Sequence, residues 1–160
     1  MLSDMTSNPR GDNLYGSPEL PEETAWRRVL AHREREQATA IEAVIERFRA
    51  AGVTPEDVES HLQDGGDRLY AAVASGRDGW SEEFGGERAV ALLAAEVSAL
   101  MSHLVARAAM VRSVCVEALL DEFSAVTVAG ALGVARQKVY ELGKASISSD
   151  YVARTPWRTE

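Results

Sequence analysis

A chain of 160 residues with a formal net charge of −8, 46% hydrophobic and 6% aromatic side chains suits one domain with tails, or a small domain carrying a helical appendage. The sequence has no sustained alternation of Val, Ile and Thr, which excludes a β-rich fold, and its one cysteine, Cys115, excludes an internal disulfide. No charged, apolar, small-residue leader opens the sequence, so a cytoplasmic protein is expected.

The charge is unevenly placed. Residues 1–106 carry 10 basic and 19 acidic side chains, whereas residues 107–160 carry 7 basic and 6 acidic. Both lysines of the chain, Lys138 and Lys144, fall in the less acidic part. An acidic total argues against nucleic acid only where the local charge is also acidic, because phosphates meet a local surface.

Residues 1–20, with Pro9, Gly11, Gly16 and Pro18 and no sustained period, read as a disordered tail. Its tripeptide Arg10-Gly11-Asp12 is attributed to chance. Pro21-Glu22-Glu23 opens a helix, and Trp26, Leu30, Ile41, Val44, Ile45 and Phe48 extend the pattern to Ala51, with Gly52 as the stop. The polar middle, His32 to Gln37, predicts one long helix with a first half projecting into solvent or into a partner helix and a second half that is core. Thr54-Pro55-Glu56-Asp57 predicts a second start, and Asp67 is expected to cap a third helix that ends at Gly76. The glycine-rich loop to Gly86 is expected to fold Trp80 and Phe84 back onto the core.

Glu87 to Phe123 contains neither proline nor glycine. Val90, Leu93, Val97, Leu100, Leu104, Val111, Val114 and Ala118 follow an approximately heptad spacing. Because so long a helix is uncommon, a break near Arg107 is favoured. The apolar stretch Ala89–Ala106, interrupted by Glu96 and His103, falls short of a membrane span of about 20 residues and reads as a buried or helix-pairing segment. No membrane partner is expected.

The stretch Ala125–Lys144, AVTVAGALGVARQKVYELGK, holds two short segments joined at Leu132-Gly133-Val134. Ala129 suits a close helix crossing and Gly133 a left-handed turn, while Val128, Leu132, Val134, Val139 and Leu142 would share a small core. Val114, Ala118, Leu119 and Phe123 would supply the third helix. Within it, VAGALGVARQKVYEL resembles the helix-turn-helix superfamily of bacterial DNA-binding proteins, whose usual pattern is VAxxLGVSRxTVYxxL. The resemblance covers about residues 110–145. It implies a recognition helix beginning near Ala135, with Arg136 and Gln137 at base edges, Tyr140 and Glu141 one turn on, and Lys138 and Lys144 at phosphates. Ala135 stands where the superfamily commonly has serine, so the usual cap is missing.

Other chemistry is thinly represented. His32, His61 and His103 are expected as solvated surface residues, and the acids Glu56, Asp57, Asp64 and Asp67 as helix starts and turns. The glycine-rich loop lacks the lysine and hydroxyl of a phosphate-binding loop, and Cys115 reads as a small core residue. No metal, cofactor or enzymatic constellation is nominated. The expectation is an all-α protein: a disordered tail at 1–20, an acidic helical region at 21–106 for dimerisation or partner binding, a tri-helical helix-turn-helix at 107–145, and a tail at 146–160. Its expected function is DNA binding in transcriptional regulation as a homodimer. The rival is a helical adaptor that binds another protein through its acidic helices.

Overall fold

The computed structural model describes residues 21–33 and 36–144. The expected tails at 1–20 and 146–160 lie outside the described residues. The described chain is all-α, without a strand: α1 (Glu22–Val29), α2 (Ala38–Ala50), α3 (Pro55–Gln63), α4 (Asp67–Ala74), α5 (Glu87–Glu122), α6 (Ala125–Leu132) and α7 (Arg136–Gly143). Single 3-10 turns occupy Ala31–Arg33 and Glu82–Phe84.

The long first helix expected from the periodicity is instead a hairpin. Arg49 Nε donates to Glu22 Oε1 at 3.0 Å, and Trp26 stacks on Phe48 with ring centroids 5.6 Å apart. A continuous helix would hold residues 22 and 49 about 40 Å apart. The chain turns at Leu30 because the polar run beyond it has no apolar face to bury, whereas Ala25, Trp26, Val29 and Leu30 do and are buried. The second half lies in the core as expected, through Val44, Ile45 and Phe48, and the first half belongs to the core too and is no projecting arm.

At the turn, His32 and Arg33 meet Glu96 of α5. His32 Nε2 lies 2.7 Å from Glu96 Oε1, and Arg33 donates from Nε at 2.7 Å and from Nη2 at 3.0 Å. His32 and His61 are thus buried, not solvated. His61 sits edge-on to Phe84, centroids 5.4 Å apart, and burial holds its pKa below the usual histidine value.

Local start signals are met closely at α3. Thr54 accepts from the Asp57 N–H at 3.2 Å, and Asp57 accepts from the Thr54 N–H at 2.9 Å, a reciprocal capping box with Pro55 in the first turn. At α4 the capping carboxylate is Asp64, which accepts from the Gly66 and Arg68 N–H groups, and Asp67 is the first helical residue. Trp80 and Phe84 pack on the core as expected.

The break expected near Arg107 does not occur: α5 runs unbroken for 36 residues. No proline, glycine or competing cap lies within it, and arginine is a good helix former. Its two halves bury different faces. Ala89, Val90, Leu93, Glu96, Val97 and Leu100 face the main core with α1 to α4, whereas Ser113 and Val116 are buried and Leu119 and Leu120 pack on the second cluster. At one turn per 3.6 residues these two directions lie roughly 170° apart. The heptad extrapolation fails for this reason, leaving Val111, Val114, Cys115, Ala118 and Phe123 exposed. The helix also continues past the point where the apolar stretch seemed to end. An 18-residue window of α5 has mean hydropathy 1.8, so by length and composition it is long and apolar enough to cross a membrane, though 33% of the window is buried in the fold.

Candidate nucleic-acid interface

The second cluster is built from Val116, Val128, Ala129 and Val139, with Leu119, Leu120, Val134 and Leu142 packed on it. It holds α6 and α7 against the far half of α5. Leu132, expected in this core, is 40% exposed at the last position of α6, although it shares the helix side of the buried Val128 and Ala129.

Each end of α6 has a local cause. Ser124 accepts from the Thr127 N–H at 3.2 Å and exchanges a hydroxyl hydrogen bond with Thr127 at 2.9 Å. At the far end Gly133 takes φ +65°, and the Val134 N–H reaches the Ala129 carbonyl at 3.1 Å. That is the way a left-handed residue closes a helix and redirects the chain. A Cβ at Gly133 would meet nothing within 4 Å, so its role is conformational, not steric.

The first residues of α7 carry no side-chain cap. Ala135 has φ −68° and ψ 146°, the extended backbone of an N-cap, yet has no oxygen to offer, and Thr127 is engaged with Ser124 instead. Ala135→Ser is expected to raise stability by about 1 kcal/mol, read as a higher urea midpoint. An unchanged midpoint would mean that the helix start gains nothing from a side-chain acceptor.

Val139 is fully buried and Leu142 half-buried on one side of α7, and Gly143 approaches Val116 and Leu120 closely enough that an added Cβ would touch both at 3.7 Å. The opposite side presents Arg136, Gln137, Lys138, Tyr140, Glu141 and Lys144, all exposed. On a helix of 3.6 residues per turn, Arg136, Tyr140, Lys144, Gln137 and Glu141 fill an arc of about 140°, with Lys138 at its flank. Lys138 Nζ is paired with Glu141 Oε2 at 2.9 Å. Among the described residues this leaves Arg136 and Lys144 as the cations of this face without an ion pair.

Beside this face lies an open cleft of about 470 Å³ between the end of α5, the start of α6 and α7, lined in part by Phe123, Val126, Arg136 and Tyr140. Phe123 and Val126 are 49% and 64% exposed, and nothing in the sequence pattern marks either as a site residue. Phe123, expected to pack within the third helix, is instead the residue at which α5 ends in extended backbone. No protein-family model, curated protein or solved structure matches the chain. Among the described residues no cluster of three or more His, Cys, Asp or Glu side chains is arranged to hold a metal ion.

Proposed function

We propose that the chain binds double-stranded DNA through the outer face of α7, with α6 and the end of α5 completing a helix-turn-helix, and that it regulates transcription in the cytoplasm as a homodimer. The observation that carries this reading is the joint exposure of Arg136, Gln137, Tyr140 and Lys144 on one side of a short helix whose other side is fixed by Val139. Arginine offers guanine a bidentate donor pair, and glutamine matches adenine in the same way. Lys144 supplies a point charge suited to phosphate. Glu141 counts against affinity because it holds Lys138, so Glu141→Gln should tighten binding by freeing that ammonium group.

Binding to a random duplex pool at low salt tests the reading. Retention should fall steeply as salt rises. On the duplex sequence selected from that pool, Arg136→Ala with Gln137→Ala should weaken binding by about 1–3 kcal/mol for each base no longer read, with an unchanged circular-dichroism spectrum. An absence of retention at low salt sinks the reading. The exposed apolar rim of Phe123, Val126 and Tyr140 favours a second reading, in which the ligand at this face is another protein, rather than a partner held by the acidic helices. In that case no duplex is retained by the wild type, and the double variant, which removes the Arg136 side chain from the same cleft, weakens partner binding instead.

A further inference from the structure

The core-facing stripe of α5 does not stop where the core stops. In the first half it runs through Val90, Leu93, Val97 and Leu100, all buried. The same side of the helix continues through Ala108, Val111, Cys115 and Ala118, which are exposed. After one extra four-residue step from Leu104, Ala108, Val111, Cys115 and Ala118 resume the alternating three- and four-residue steps of a helix-pairing seam. The second cluster occupies the opposite side and leaves this one open.

We propose that a second copy of this chain covers the free half of α5, with the two helices antiparallel and the two-fold axis between Val114 and Cys115. This deepens the homodimer part of the reading above and does not depend on DNA. Two observations select this occupant and this direction. The free stripe is bounded by opposite charges, Arg107 at one end and Glu122 at the other, and neither has an ion pair among the described residues. Its midpoint falls between Val114 and Cys115, so antiparallel pairing sets Arg107 against the second copy's Glu122, Val111 against Ala118 and Val114 against Cys115. Parallel pairing would set Arg107 against Arg107 and Glu122 against Glu122.

The second observation is steric. The main core covers this same side of α5 as far as Leu100, with Leu104 packed against it. Two parallel copies would force both cores into the space between the helices. In the antiparallel arrangement each core lies beyond the end of the other α5, and the seam spans about 22 Å.

Sedimentation equilibrium of the full chain should give twice the 17.3 kDa chain mass. Val111→Glu, at a position 56% exposed in the single copy, should keep the helical circular-dichroism spectrum and weaken self-association at least about tenfold, because a charge would be buried in the seam. Arg107→Glu should also weaken it, and Arg107→Glu combined with Glu122→Arg should restore it, a rescue specific to this register. Copper-catalysed oxidation should link two chains through Cys115, and Cys115→Ser should abolish the link. A wild type that stays monomeric overturns both the seam and the homodimer reading. A dimer indifferent to Val111→Glu and to the charge exchange overturns the seam and leaves the homodimer standing. A monomer that partitions into phosphatidylcholine vesicles overturns the seam in favour of lipid on the same stripe.

Discussion

Glu96→Ala is expected to destabilise the chain by about 3–5 kcal/mol, the usual effect of removing one partner from a buried ion pair. Glu96 is 2% exposed and accepts from His32 and from two nitrogens of Arg33. Alanine would leave the largely covered guanidinium with Glu36 as its remaining carboxylate, and His32, whose Nδ1 has no hydrogen-bond partner among the described residues, would lose the one at Nε2. The turn between α1 and α2 would keep the edge-on contact of His32 with His103 but lose its hydrogen bonds to Glu96. Glu96→Gln keeps the shape and an acceptor oxygen, so a smaller loss of about 1–3 kcal/mol is expected. Urea unfolding measures both, and a loss below about 1 kcal/mol for the alanine variant would show that the cluster contributes little.

The same cluster sets an acid limit. Burial raises the Glu96 pKa, but the hydrogen bonds from His32 and Arg33 together with the charge of Arg33 outweigh it, and the net result lies below the ordinary 4.5. With the folded value depressed, the folded state binds fewer protons than the unfolded one. The contribution is therefore present above the unfolded pKa and is lost as pH falls through the folded one. His61 acts in the same direction in a higher window: burial lowers its pKa from 6.5, so protonation below that value favours unfolding. The urea midpoint should fall from near neutral pH downward, and again below about pH 4.5. Glu96→Gln should shrink the second loss and leave the first unchanged, the remainder falling to Glu22, whose pKa is lowered by hydrogen bonds from Trp26 and Arg49.

What the sequence disclosed follows the range of the interactions. The start of α3 was legible because Thr54, Pro55 and Asp57 act within one turn, and Gly133 was legible because a left-handed helix end is a one-residue requirement. The α1–α2 hairpin was not, since its evidence is the stack of Trp26 on Phe48 and the reach of Glu96 to residues more than sixty positions away. From the sequence, Glu96 merely interrupted an apolar run. The change of buried face along α5 was hidden because alanine, valine and methionine surround the helix there, so continuing the first period looked as good as shifting it. At the candidate interface the six nominated residues are exposed together. The pairing of Lys138 with Glu141 adds a restraint that the resemblance does not carry, although a three-residue helical spacing signals it. The cleft beside Phe123 needed the junction of three helices to become visible.

Val139→Asp is expected to unfold α6 and α7 while the main core stays folded. Val139 is fully buried in a cluster that has four buried side chains among the described residues, and α5 is the element that reaches from this cluster to the main core. A carboxylate placed there without a partner costs several kcal/mol or is forced to take up a proton. So small a cluster rarely contributes more than about 3–5 kcal/mol. The substitution therefore exceeds what holds the two eight-residue helices, whereas the main core, with Trp26, Phe48, Leu62, Leu93 and Leu100 buried, is untouched. Hydrogen exchange should show lost amide protection over residues 124–143 and at the end of α5, with protection kept in α1 to α4 and the first half of α5. Simultaneous loss in both regions would mean that α5 transmits cooperativity between the two cores, and the separation drawn from its opposite buried faces would be wrong. Where duplex retention is seen for the wild type, it should disappear in this variant even though Arg136, Gln137 and Lys144 are all still present. On the proposed reading α7 needs a fixed side as much as a reading side, and Val139 is buried on that fixed side.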